Sequence, residues 1–217
     1  MRAPDEWNAL FMGIRHGYKP DTPDVYESGE QMVQQAEAMG ISFHGLRVLD
    51  VGCGNGRWAA VLTPRGVSSY LGLDVVEGSI AFCRETFKSY PAFQFDALPA
   101  FNGRYGGTKE SRAEDVVFPV STYCDIIIAS SLFTHFERLT AVERYLSEMR
   151  RVAAQACTLY VTWFRSPPNE VTSDARRTVF PETDIRAVLE KTGWKIHSEN
   201  GGTKAEWGDQ WLMLCTT

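Results

Sequence analysis

Residues 48–58 read VLDVGCGNGRW. An apolar run leads into a turn that carries Gly52, Gly54 and Gly56. Such a run is what a strand buried on both faces shows. Glycines lack a Cβ, so the turn can be tight and a ligand can approach its backbone. The glycines alone are a weak signal, and their spacing is a sharper one. They fall as GxGxG, and Arg57 stands where the dinucleotide fingerprint GxGxxG has its third glycine. No Lys-Ser/Thr pair follows, which argues against a triphosphate-binding loop. Asp50, just ahead of the turn, would repel a pyrophosphate but suits a cationic ligand. These features oppose a nicotinamide oxidoreductase.

Outward from this stretch, strand and helix patterns alternate. Residues 30–39 (EQMVQQAEAM) are good helix formers, with Gly40 as a natural stop. Residues 57–62 start a helix that breaks near Pro64. SSYLGLD is a second strand, residues 78–87 a second helix, and AFQFD a third strand. Residues 97–123 mix glycine, proline and charge, and predict a long loop with one short helix. CDIIIAS is the most apolar strand. In residues 139–152, Leu139, Val142, Leu146, Met149 and Val152 share a face at helical spacing. CTLYVTWF is a fifth strand, followed by a proline loop (RSPPNE) and a helix over residues 182–192 ended by Gly193. WKIHSEN and DQWLMLCTT predict a closing hairpin across a GGTKAEWG turn. The alternation predicts an α/β fold, a mostly parallel sheet with helices on both faces.

A chain of 217 residues suits one domain. The expectation is a single domain over residues 1–217, with residues 1–45 as a helical cap and residues 46–217 as the core. A formal charge of −5, with Arg150-Arg151 and Arg176-Arg177 as isolated basic pairs, argues against a nucleic-acid partner. No run approaches a membrane span, and the acidic, interrupted N-terminus is unlike a signal peptide. The five cysteines are scattered and form no CxxC, which favours reduced thiols and a cytoplasmic setting over disulfides or zinc. The four histidines form no metal-ligand pattern, so no metal is expected.

Two further acids sit at strand ends. Asp74 ends LGLDVV, where an acid can take two ribose hydroxyls; its plainer reading is a helix N-cap. Asp96 ends FQFDAL and can accept from an adenine amino group, or simply terminate a turn. Taken in order, VLDVGCGNG, LGLDVV, FDAL and CDIIIASSLFTH resemble the class I S-adenosylmethionine-dependent methyltransferases. The resemblance covers residues 45–165 well and the closing strands loosely. Within that family the chain is similar to small bacterial-type enzymes with an S-x-F-T-H segment, here within SSLFTHF (residues 130–136), and an N-x-x-Y-G-like loop, here NGRYGG (residues 102–107).

The resemblance implies a Rossmann-like, doubly wound sheet of seven strands with an antiparallel closing strand. It also implies S-adenosyl-L-methionine as cofactor and S-adenosyl-L-homocysteine as product. Asp50 and the backbone of Gly52, Cys53, Gly54 and Gly56 would hold the methionine part. Asp74 would take the ribose, Val75 would lie against the adenine face, and Asp96 with the Ala97 backbone would read the adenine edge. Ser130 would lie near the methyl donor. Arg57 would pair with the methionine carboxylate, or stay a solvated helix-start residue. The Cys53 side chain reads as packing rather than as a nucleophile.

Methyl transfer needs a base only when the acceptor must lose a proton. His135 follows the strand aimed at the cofactor and is the candidate base; its alternative is to satisfy a backbone carbonyl and cap the next helix. Tyr18, Tyr26 and the YESG stretch (residues 26–29) can reach the site, while Arg104 and Tyr105 can shape the acceptor pocket. Trp163 and Trp211 fall in predicted strands and read as core. The expected acceptor is a small molecule or sugar-like hydroxyl, or an amine. A non-catalytic protein that binds the same cofactor is the alternative.

Overall fold

A computed structural model of the chain describes residues 2–12, 25–102, 106–107, 112–164, 172–173, 178–205 and 208–217. In chain order the main elements are α1 (Pro4–Met12), α2 (Val25–Ala38), β1 (Arg47–Val51) and α3 (Arg57–Leu62). Then come β2 (Ser69–Asp74), α4 (Glu77–Thr86), β3 (Phe93–Ala97), β4 (Cys124–Ala129) and α5 (Leu139–Val152). The chain closes with β5 (Ala153–Phe164), α6 (Glu182–Lys191), β6 (Lys195–Ala205) and β7 (Gly208–Thr216).

The seven strands form one sheet in the order β3-β2-β1-β4-β5-β7-β6. Strands β1 to β5 run parallel to one another, whereas β7 is antiparallel to both β5 and β6. This is the doubly wound sheet with an antiparallel closing strand that the resemblance implied. The chain runs outward from β1 through β2 to β3, then returns to β4 on the other side of β1. The strand order therefore reverses between β1 and β4, and ligands of open α/β sheets sit beyond the strand ends at such a point.

Alternation along the strands divides the core into two layers. Leu49, Val51, Ile127, Ala129, Leu159 and Val161 pack against α5 and α6. Val48, Tyr70, Phe95, Ile126, Ile128 and Tyr160 pack against α2, α3 and α4. In α5 the predicted face is realised: Val142, Leu146, Met149 and Val152 are buried, with Leu139 partly so. Trp163 and Trp211 are buried core residues, as their strand positions suggested. All five cysteines are buried free thiols.

Three details differ from the sequence reading. First, α1 was not anticipated; Trp7 anchors it by stacking on Phe87 of the turn after α4, with ring centroids 4.9 Å apart. Second, the segment between β3 and β4 holds, besides the expected short helix (a 3-10 turn at Ala113–Asp115), a short strand pairing of Phe101–Asn102 with Gly106–Gly107. Third, most of the GGTKAEWG segment is strand. β6 runs to Ala205 and β7 resumes at Gly208, because a register shift between Asn200 and Thr203 absorbs the extra residues and pairing continues. Tyr18, Arg104, Tyr105 and the RSPPNE loop lie outside the described residues. Among the described residues, no helix is long and apolar enough to cross a membrane.

Candidate functional site

The glycine turn leaves β1 at the reversal point. Gly52, Gly54 and Gly56 all have positive φ, at 81°, 52° and 85°. A Cβ built on Gly54 would meet nothing within 4 Å, so the turn offers open space above its backbone. The first two amides beyond β1 fold back onto β2: Gly52 N–H and Cys53 N–H both donate to the Leu73 carbonyl, at 2.7 and 3.1 Å. Gly56 then serves as the N-cap of α3.

Asp74 closes the turn from the β2 side. Its Oδ2 accepts the Gly54 N–H at 2.8 Å, and its Oδ1 accepts the Val76 N–H at 2.9 Å. One carboxylate thus ties the glycine turn to the start of α4. Each oxygen keeps a further lone pair for another donor. Burial raises the Asp74 carboxyl above its ordinary value, against the lowering effect of the Val76, Gly54 and Val75 amides.

Asp50 lies beneath the turn and is 1 % exposed. Its Oδ2 accepts from the Tyr70 hydroxyl of β2 at 2.5 Å. Burial pushes its carboxyl up to about 7, against the pull of that hydroxyl and of the Arg57 guanidinium. A buried carboxylate with no full counter-charge is costly and gains most from a cationic ligand.

Helix α2 leans over the same place. Arg57 Nη1 donates to Ser28 Oγ at 3.4 Å, and a Cβ on Gly29 would come 3.0 Å from Arg57 Cγ, so the two helices pack closely. The YESG stretch therefore sits against the start of α3. Met32 of α2 reaches the neighbouring strand end, where Ser130 Oγ points at its Sδ, 3.7 Å away. Ser130 is buried, and Ser131 after it takes a φ of 55°. The chain then forms the 3-10 turn Phe133–His135, with Phe133 stacked on Trp163 at 4.8 Å. His135 is partly exposed, and its Nδ1 is shielded from solvent.

The predicted residues thus fall into two groups. Asp50, Gly52, Cys53, Gly54, Gly56, Arg57, Asp74 and Ser130 gather at the ends of β1, β2 and β4. Asp96 and Ala97 sit one strand further out on β3, with Val75 partly buried at the start of the β2–α4 connection. Arg84 Nη2 donates to Asp96 Oδ1 at 2.6 Å on the exposed edge, a use of that carboxylate which the sequence did not suggest. Cys53 packs between Gly72 of β2 and Cys83 of α4, and its hydrogen bond with Cys83, together with burial, raises its thiol well above the ordinary range. Tyr70, Met32 and Leu132 escaped the sequence reading. Tyr70 and Asp50 lie on the same face of adjacent strands only because of the β1–β2 register, which pairs Asp50 with Gly72.

An open cradle at Gly54, a buried anion below it and a second carboxylate beside it fit a ligand with a cationic end and a hydroxyl-bearing middle.

The Methyltransferase domain family matches residues 49–161, more than half of the chain. The fold is shared with magnesium protoporphyrin IX methyltransferase from Synechocystis PCC 6803, solved with S-adenosyl-L-homocysteine. That structure has 16% identity and a TM-score of 0.66, with 98% of this chain and 93% of that chain covered. It is shared too with the N-methyltransferase NodS from Bradyrhizobium japonicum WM9, solved with the same product, at 16% identity, a TM-score of 0.66 and 96% of each chain covered. The PH0226 protein from Pyrococcus horikoshii OT3 is similar at 17% identity and a TM-score of 0.66, with 95% of this chain and 97% of that chain covered. With this sheet order and this glycine turn, the chain belongs to the methyltransferase-domain family and is a class I S-adenosylmethionine-dependent methyltransferase.

Proposed function

We propose that the chain transfers a methyl group to a hydroxyl or amine of a small-molecule or sugar-like acceptor, in the cytoplasm and without a metal. The observation that carries the reading is the meeting of the open Gly54 turn, buried Asp50 and strand-end Asp74 with the Ser130–His135 segment of the neighbouring strand.

In this reading the backbone of residues 52–56 and the Asp50 carboxylate hold the amino-acid end of S-adenosylmethionine. Arg57, already beside Ser28, takes its carboxylate. Asp74 accepts both ribose hydroxyls through the lone pairs that its two amide bonds leave. Val75 covers the adenine face, and the Ala97 backbone with Asp96 reads the adenine edge while Arg84 keeps Oδ1. The bound cofactor supplies an electrophilic sulfonium methyl.

The protein's own task is then to align the acceptor and exclude water. Met32 and Ser130 wall the donor side, and α2 closes over it. For a hydroxyl acceptor, the His135 imidazole would take the proton as the acceptor oxygen bonds the methyl and the methyl–sulfur bond breaks, the electron pair leaving with the neutral thioether; for a neutral amine, the proton can leave after transfer.

The test is calorimetry with S-adenosylhomocysteine. The wild-type chain should bind it and Asp74→Ala should lose about a hundredfold or more in affinity, since two hydroxyl contacts to a charged group vanish, about 1.5–3 kcal/mol each. Binding unaffected by Asp74→Ala would sink the assignment. Transfer of labelled methyl from S-adenosylmethionine into a component of a small-molecule extract separates an enzyme from a protein that only binds the cofactor.

A further inference from the structure

We infer that Thr162, a buried hydroxyl near the C-terminal end of β5, is a positioning residue for the cofactor pocket: it holds the strained turn at Ser131 through which β4 presents Ser130 and Leu132 to the glycine turn. The inference rests on the cofactor-binding reading above.

Ser131 has a φ of 55°, the one non-glycine residue in the left-handed region among the described residues. A side chain there is strained by contact between its Cβ and the following carbonyl, so the surroundings must hold the conformation. Two threonines do so. The Ser131 N–H donates to Thr162 Oγ1 at 2.7 Å, across from the adjacent strand. Thr134 Oγ1 donates to the Ser131 carbonyl at 3.0 Å, from one turn further along. The second bond is local and comes with the 3-10 turn. The first is the long-range one, and it fixes where the turn stands relative to the sheet.

The consequences lie on either side of Ser131. The Leu132 side chain rests against Gly52, where an added Cβ would come 2.9 Å from Leu132 Cδ1. The Gly52 backbone and the Leu132 side chain therefore fit each other directly. Ser130, just before the turn, faces Met32 of α2. Relaxing Ser131 to an ordinary φ swings both neighbours: Leu132 leaves Gly52, and Ser130 leaves the wall between α2 and the donor. Thr162 acts on the proposed pocket through this turn, by its bond to the Ser131 amide. Its residue type follows from that task. At 4 % exposure its hydroxyl is out of water, and its oxygen gives the Ser131 amide the acceptor that the β4–β5 ladder no longer supplies beyond Ala129.

The test uses four variants of the full chain and S-adenosylhomocysteine as probe, with affinity read by calorimetry and stability by urea unfolding. Thr162→Val keeps shape and removes the acceptor; it should weaken binding about tenfold, by letting the turn leave its binding-competent conformation. Thr162→Ser keeps the oxygen and should stay within about twofold of wild type. Val161→Ala, on the opposite face of the same strand, should lower stability and leave affinity unchanged. Ser131→Gly removes the strain at source, so adding it to Thr162→Val should recover most of the lost affinity. Wild-type affinity in Thr162→Val overturns the inference. So does weak binding in Thr162→Ser, because the methyl and not the oxygen would then matter. Equal loss in Val161→Ala would reduce the effect to general destabilisation and overturn it too. A wild-type chain that binds no S-adenosylhomocysteine overturns the cofactor-site reading itself, and this inference with it.

Discussion

At Gly54 the turn's backbone can be separated from its ligand. The residue has a φ of 52° and nothing within 4 Å of an added Cβ. Gly54→Ala therefore costs only the left-handed penalty, about 1 kcal/mol, and should fold. The new methyl would stand in the cradle, so binding of S-adenosylhomocysteine should fall by tenfold or more while the urea midpoint moves little; intact affinity would place the ligand elsewhere. Asp50 makes a second prediction, in pH. Its carboxyl is pushed up to about 7 by burial. The folded chain therefore holds this proton more tightly than the unfolded chain, whose aspartates titrate near 4. Stability from this group is present below about 4 and is lost as pH rises through about 7. The ammonium of the ligand's amino-acid end favours the ionised carboxylate, so S-adenosylhomocysteine affinity should be about tenfold weaker at pH 6 than at pH 8. Tyr70→Phe removes a hydrogen bond that lowers this carboxyl and should move the midpoint upward. Calorimetry across pH with Asp50→Asn as control, where the dependence should vanish, decides the point.

Among the elements, α5 shows how a carboxylate can secure a loop. Glu148 is buried, accepts the Phe118 N–H at 2.9 Å and faces both Arg144 and Arg151. Burial pushes its carboxyl up, but the Arg151 and Phe118 hydrogen bonds outweigh this and leave it below its ordinary value. Both arginines keep a third or more of their side chains in water, so the ion pairs themselves contribute little. The larger loss in Glu148→Ala is a buried Phe118 amide without its acceptor, about 1–3 kcal/mol by urea unfolding. Glu148→Gln keeps an acceptor oxygen and should cost less. This contribution is present above about pH 4 and lost as pH falls through the lowered folded value. No period in the sequence announced this contact, because residues 118 and 148 meet only through tertiary packing. The legible elements were those whose signal is local: the α5 face, the Gly193 stop of α6 with its φ of 81°, and the α3 start after Gly56. β6 was read too short because Gly201 and Gly202 look like a turn, whereas strand pairing with β7 overrode that preference.

Across the whole molecule, the same division separates the visible half of the candidate site from the hidden half. Asp50, the glycines and Asp74 lie at strand ends in a fixed order, so spacing and charge, with the resemblance they supported, marked them as candidates. Thr162 and Met32 approach from β5 and α2, and Tyr70 from the start of β2, at positions set by register and docking. The docking of the N-terminal helices carries the last prediction. Trp7 is buried and stacked on Phe87, and Arg2 Nη1 donates to the Thr86 carbonyl at 2.6 Å. Arg65, in the turn after α3, pairs with both Glu30 and Glu37 of α2. The cap thus shares its core with β1 to β3, and we expect residues 1–45 and the sheet to unfold in one cooperative step. Scanning calorimetry should show a single transition. S-adenosylhomocysteine at 100 times its dissociation constant should stabilise the chain by about 2.7 kcal/mol, a midpoint rise on the order of 5–10 °C for a chain of this size. Trp7→Ala should lower the midpoint, at a cost of about 3–5 kcal/mol, without splitting the transition. Two resolved transitions, with only the upper one shifted by ligand, would instead show a cap that folds independently of the site it covers.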